Sequence, residues 1–176
     1  MKVLVLRLGH RRIRDQRTTS HCGLVARAFG ANEMIYSGEK DDNLEKSIKN
    51  VVENWGGPFE IKYEQNWKKF IKNWNGKIIH LTMYGLPFQR FMNKIKKCKD
   101  LLIVIGSEKI PTEVYHSSDW NIAISNQPHS EVAALSVFLD KLFEGKELQK
   151  KFEKVKIKIE PQERGKKVEE TDNTIF

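Results

Sequence analysis

Residues 101–105 of the stretch DLLIVIGS are apolar at every position, with no polar residue alternating between them. A strand wetted on one face reads apolar and polar by turns. An unbroken apolar run belongs to a strand covered on both faces, the habit of parallel sheets flanked by helices. This stretch therefore points to an α/β architecture, and the rest of the chain agrees. KVLVLRL, EMIY, PFEIKYE, GKIIHLTMYG and WNIAIS are further strand candidates. Between them lie patterns of helical period. GLVARAFGA presents Leu24, Val25, Ala28 and Phe29 on one side, and DDNLEKSIKNVVENWGG spaces Leu44, Ile48, Val51 and Trp55. NWKKFIKNW returns through Trp67, Phe70, Ile71 and Trp74. Pro87 suits the first turn of a helix that turns Phe88, Phe91, Met92 and Ile95 inward. A last long helix carries Val132, Leu135, Leu139, Leu142 and Phe143 inward. The repeated β-α order predicts a mainly parallel sheet flanked by helices.

At 176 residues, with no internal repeat or linker, the chain reads as one domain over 1–164. Residues 165–176 have little to bury and are expected to form a loose tail. No apolar run approaches the roughly 20 residues of a membrane span, and MKVLVLRLG reads as a strand rather than a signal peptide. A cytoplasmic protein without a membrane partner is the resulting expectation. Cys22 and Cys98 form no CxxC pair, the histidines are scattered, and HExxH is absent, so no metal is expected. His80, flanked by apolar residues, reads as a core histidine and His116 as a surface one.

The formal net charge of +8 raises nucleic acid as a partner. Arg7, Arg11, Arg12, Arg14 and Arg17 crowd into RLGHRRIRDQRTTSHCG, with His10, His21, Thr18, Thr19 and Ser20 beside them. Two readings stand. One is a shaped loop that grips an RNA backbone through bidentate arginine contacts and completes a catalytic site. The other is a solvated basic face, partly neutralised by Asp15. The arginine spacing fits no regular helical stripe, which favours the loop. GSEKIP lacks the spacing of a triphosphate-binding glycine loop, and no GxGxxG occurs, so nucleoside triphosphates and dinucleotides lose support.

Ligands of open parallel sheets sit outside the carboxyl ends of the strands. Three such ends stop abruptly at small or polar residues: HLTMYG, GSEKIP and SNQPHSE. Any one alone reads as an ordinary turn; the three together suggest a ligand site. In the third, Ser130 serves as a helix cap and Glu131 as a first-turn acid. Asn126, Gln127 and His129 are left without a purpose.

Four segments in order, LRLGHRRIRDQRTTSHCGLVARAFGA, HLTMYG, IVIGSEKIP and NIAISNQPHSEVAALSVFLDKL, closely resemble the archaeal tRNA cytidine 2′-O-methyltransferases. These are SPOUT enzymes that act on the T-loop cytidine at tRNA position 56. The likeness covers nearly the whole chain, PQERGKK included. It implies an α/β fold whose C-terminal segment threads a deep trefoil knot, against the general absence of knots. It also implies S-adenosylmethionine (SAM) bound in that knot, tRNA as substrate, and a homodimer with a shared active site. Carried over by position, cofactor contacts would come from Leu81, Thr82, Met83 and Gly85, then from Gly106, Ser107, Glu108, Lys109 and Ile110. The last loop would add Ile124, Ser125, Asn126, Gln127, Pro128, His129, Ser130 and Glu131. A ribose 2′-hydroxyl is a poor nucleophile and needs a base or a cation. Related ribose methyltransferases use an arginine from their first motif, but its place is taken here by Leu24. The choice then falls among Arg14, Arg17 and Arg27. Arg17 is expected to be catalytic, with Arg14 as the alternative and His21 as a second ribose contact; Arg7, Arg11 and Arg12 are expected to bind RNA. A knotted RNA-binding module without catalysis, or an enzyme modifying another RNA nucleotide, are the competing readings.

Overall fold

The computed structural model describes residues 1–106 and 109–171, so Ser107, Glu108 and the end of the expected tail (172–176) lie outside the described residues. Six strands form one sheet: β1 (Lys2–His10), β2 (Glu33–Gly38), β3 (Glu60–Tyr63), β4 (Lys77–Pro87), β5 (Asp100–Gly106) and β6 (Trp120–Ala123). Their order is β3-β2-β1-β5-β4-β6, and every neighbouring pair is parallel. β5 lies inside the sheet between β1 and β4, and Leu101 through Ile105 are all buried, as the unbroken apolar run requires.

Side chains alternate across a strand, so each central strand feeds two cores. Val3, Val5, Leu101, Ile103 and Ile105 join the core under α1 (Arg12–Ala28), α2 (Asp42–Trp55) and α6 (Glu131–Phe143). Leu4, Leu6, Leu8, Leu102 and Val104 join the opposite core under α3 (Trp67–Lys72) and α5 (Thr112–Ser117). Between β4 and β5, the expected Pro87 helix is a 3-10 turn at Phe88–Arg90 followed by the short α4 (Met92–Ile95), with Met92 and Ile95 buried.

The largest departure from expectation is α1. The arginine segment is not a loop: the helix starts at Arg12 and runs unbroken for 17 residues. Its buried residues are Asp15, Thr19, Cys22, Gly23, Ala26 and Arg27, which recur at helical spacing but are polar or small. Apolar periodicity could not reveal such a face. Leu24 and Ala28, expected inward, are exposed. Gly23 packs closely here: a Cβ would stand 3.0 Å from Ile48 Cδ1 and 3.1 Å from Met34 Cε, so both side chains would have to yield by a few tenths of an ångström. His10, at the end of β1, ties the helix down: its Nδ1 lies 2.9 Å from Thr19 Oγ1 and its Nε2 3.3 Å from Asp41 Oδ2. Arg27 is also structural, donating to the carbonyls of Trp55 and Gly56 and lying 4.1 Å above the Phe152 ring.

Beyond α6, β7 (Ile157–Glu160) and β8 (Lys167–Glu170) form an antiparallel hairpin, so the stretch expected as a tail contains a strand. Lys167 pairs with Glu160 across the hairpin and with Glu169 along β8, exposed contacts that contribute little on their own. Among the described residues no helix is long and apolar enough to cross a membrane.

Candidate functional site

The three strand ends singled out by pattern converge. β4 pairs with β6 up to Leu81, slips, and resumes at Leu86, so residues 82–85 leave the ladder. They are held close by two devices. Gly85 lies directly on β6, where a Cβ would stand 2.5 Å from Ile122 N and 2.6 Å from Asn121 O. Asn126, from the loop after β6, donates its amide to Met83 O at 2.7 Å and Gly85 O at 2.9 Å. One of the unexplained polar residues therefore fastens one loop to another. Ser130 caps α6 by accepting from Val132 N at 3.0 Å, with Glu131 in the first turn.

Between these loops is a cavity of about 310 Å³. Leu81, Thr82 and Met83 line it from the first loop, Gly106 and Ile110 from the second, and Pro128, His129 and Glu131 from the third. Gly85, Lys109, Ile124, Ser125, Asn126, Gln127 and Ser130 do not line it, and Ser107 and Glu108 lie outside the described residues. The lining also includes His80, Tyr84, Ile105, Tyr115 and Ala134, which sequence reasoning missed. A larger depression of about 790 Å³ follows the charged outer face of α2 and is lined by that helix alone, without a convergence of loops. The smaller cavity is the better candidate, because it sits where a parallel sheet presents its ligand-binding edge.

Its walls are suited to a ligand held largely by backbone and by neutral polar groups. Ile110 packs over Gly106 into the space that any Cβ there would occupy, so only glycine admits this close contact at the end of β5. His80 is fully buried, with its ring edge-on to Tyr115 at 4.6 Å between centroids. Asn121 donates its amide to Tyr115 O at 2.9 Å, which turns its Oδ1 toward His80 Nδ1, also at 2.9 Å. Nδ1 thus carries the proton and Nε2 is an acceptor, enclosed and without a partner. Burial pushes the His80 pKa down, keeping the ring neutral. A buried acceptor left open beside a cavity is a place for a ligand N–H or O–H.

Arg7 was expected on an RNA surface but is fully enclosed. It donates to Leu8 O at 3.2 Å and, through Nη2, to Glu131 Oε1 at 3.2 Å. This pair joins β1 to the first turn of α6 and aligns a carboxylate in the cavity wall. Nearby, burial pushes the Cys22 thiol up to about 12, leaving it protonated and unreactive. Arg11 pairs with Asp15 at 2.8 Å, and that bond holds the Asp15 carboxyl below its usual range. Arg12 donates its backbone N–H to Glu39 at 2.9 Å. Arg14, Arg17 and His21 share the exposed side of α1 at spacings of three and four residues, and none of them lines the cavity of its own chain. Among the described residues no group of His, Cys, Asp and Glu could hold a metal ion.

A family model described as "tRNA ribose 2′-O-methyltransferase, aTrm56" matches residues 55–169. Three similar proteins are each named tRNA (cytidine(56)-2′-O)-methyltransferase. That of Thermococcus kodakarensis is 54% identical over 172 residues, covering 94% of this chain and 96% of its own. That of Pyrococcus horikoshii is 53% identical, covering 96% and 85%, and that of Methanopyrus kandleri 50%, covering 96% of both. Among solved structures, a TrmH/SpoU tRNA modifying enzyme of A. aeolicus superposes with a TM-score of 0.62 at 16% identity, over 84% of this chain and 77% of that one. An rRNA methyltransferase of Sinorhizobium meliloti with bound AdoMet gives 0.59 at 15% identity, over 82% of this chain but only 57% of its own. At such identities the structural likeness speaks for the fold, which is that of the SPOUT methyltransferases.

Proposed function

The chain belongs to the tRNA ribose 2′-O-methyltransferase family, and from that premise we propose that it transfers a methyl group from SAM to the 2′-hydroxyl of cytidine 56 in tRNA. The observation that carries this reading is the cavity at the three strand ends, formed by the segments through which the chain resembles that family. Leu81, Thr82, Met83, Gly106, Ile110, Pro128, His129 and Glu131 would hold SAM there, with Asn126 and Gly85 keeping the first loop in place. The neutral His80 suits a hydrogen-bond donor of that ligand, and the Glu131 carboxylate suits its positive charge. When bound, SAM supplies a methyl group activated by a sulfonium. We read the crossing of residues 82–86 with the loop after β6 as part of the SPOUT trefoil knot.

The protein must make the ribose oxygen more nucleophilic and exclude water from it. We assign the first to Arg17, with Arg14 as the alternative and His21 as a second contact to the ribose. The Arg17 guanidinium stabilises the oxyanion that develops as the 2′-hydroxyl loses its proton. These residues do not line their own chain's cavity, so the reading requires a homodimer in which α1 of one protomer serves the cavity of the other. The exposed Leu24 of α1 and Val137 of α6, each 39% exposed, suit such an interface. We take residues 1–164 together with β8, which pairs with β7 across that boundary, as one catalytic unit. The test is methyl transfer from labelled SAM to an unmodified tRNA transcript by the wild type and by Arg17→Ala. The wild type should label tRNA, while the variant binds SAM normally and loses turnover by roughly a hundredfold or more. Normal turnover in Arg17→Ala with loss in Arg14→Ala would move the role to Arg14. No label from the wild type would overturn this reading and leave the noncatalytic RNA-binding module or an enzyme acting on another RNA.

A further inference from the structure

Tyr84 stands apart from the roles assigned so far. It is 75% exposed at the cavity that Thr82 and Met83 line. A single exposed aromatic residue is ordinary; its mounting is not. The carbonyls on either side, Met83 O and Gly85 O, are both held by the Asn126 amide at 2.7 and 2.9 Å. The Tyr84 N–H points at Thr82 Oγ1 at 3.4 Å. Gly85 is pressed against β6 so closely that a Cβ would lie 2.5 Å from Ile122 N. The backbone is therefore fixed before and after a side chain left in solvent. A ring presented in this way loses little further freedom when it stacks on a partner.

We propose that Tyr84 is a positioning residue whose ring stacks on the nucleobase of the ribose being methylated. The proposal rests on the reading of this cavity as the methyl-donor site. A ribose whose 2′-oxygen reaches into the cavity carries its base one glycosidic bond away, which places the base at the mouth. A base brought there has left its neighbours in the RNA and lost their stacking. The phenol ring restores one face of that stack and holds the sugar while the hydroxyl reacts.

Steady-state kinetics on the full-length protein test this, with SAM and two tRNA transcripts. One transcript is unmodified; the other carries an abasic ribose, with its 2′-hydroxyl intact, at the target position. On the intact transcript Tyr84→Ala should lose roughly tenfold to a hundredfold in kcat/KM, the size of one base-stacking contact, with SAM affinity by calorimetry within about twofold of wild type. Tyr84→Phe and Tyr84→Trp should recover most of that loss, which a disturbed loop would not allow. On the abasic transcript the wild type and Tyr84→Ala should be equal, since the stacked partner is gone. An active wild type with an equally active Tyr84→Ala overturns the proposal. So does a loss that persists on the abasic transcript, a loss of SAM affinity, or a change of oligomeric state, which would make Tyr84 a structural, cofactor or subunit contact. A wild type that neither binds SAM nor methylates the transcript overturns the underlying reading and this one with it.

Discussion

Arg7 and Glu131 offer the sharpest stability prediction, because the two ends of one ion pair differ in access to water. Arg7 is fully enclosed and Glu131 keeps 21% of its side chain exposed. Removing one partner of a buried pair costs about 3–5 kcal/mol, mostly from the charge left behind. In Glu131→Leu that charge is a guanidinium whose Nε already lacks a partner and whose Nη1 donates to Leu8 O. The cost should fall within that range, about 4 kcal/mol. In Arg7→Met the stranded carboxylate faces the cavity at a helix N-terminus, where water and the helix dipole ease it, and the cost should be about 2 kcal/mol. Replacing both leaves no stranded charge, so Arg7→Met/Glu131→Leu should cost at least about 2 kcal/mol less than the sum of the single changes. Chemical denaturation at neutral pH reads these values. Thermal midpoints should fall by about 2–4 °C per kcal/mol for a chain of this size. Two single variants of equal cost, or both below about 1 kcal/mol, would refute the account of a buried pair with asymmetric access to water.

Four further outcomes follow from the geometry. Asn126→Ala should weaken SAM binding while the fold persists, at a stability cost of about 1–2 kcal/mol for two lost hydrogen bonds; unchanged calorimetric affinity would count against the loop tie. Gly85→Ala forces a methyl group into the backbone of β6 and should destabilise by about 1–3 kcal/mol in denaturant titration, with a variant as stable as wild type contradicting the contact. Burial lowers the His80 pKa below its unfolded value of 6.5, so the unfolded chain binds more protons between the folded pKa and about pH 6.5 and stability should fall as the pH drops through that window. His80→Gln should flatten that slope in denaturation measured at several pH values, and an unchanged slope would assign it elsewhere. Co-refolding Arg17→Ala with a variant disabled in the SAM cavity should restore about a quarter of wild-type activity if the sites are shared between protomers; no recovery would mean each chain uses its own helix.

How legible the molecule was depends on which signal each part carries. β5 was readable because a strand covered on both faces must be apolar throughout. α2 was readable from Leu44 and Ile48 at helical spacing and from its Asp41 cap. The candidate site was readable as three strand ends, since the apolar runs stop where the strands open onto the cavity. The N-terminal half of α1 was not readable, because its inward face is Asp15, Thr19 and Cys22 rather than an apolar stripe. Arg7 was misplaced for a related reason: its partner Glu131 lies 124 residues away, and nothing local marks a buried charge. Asn126 looked like a ligand contact because its acceptors, Met83 O and Gly85 O, belong to another loop. His80 was rightly read as buried, but its place in the cavity wall depends on Tyr115 and Asn121, which no local pattern connects to it.

The central claim is that the methyl group goes to one ribose oxygen of tRNA. It is tested most directly with two transcripts that differ by a single atom, cytidine or 2′-deoxycytidine at position 56, each incubated with the protein and labelled SAM and then digested and mapped. The account predicts label on the ribose of cytidine 56 in the first transcript and none anywhere in the second. Label on a base, on another nucleotide, or equally on the deoxy transcript would contradict it.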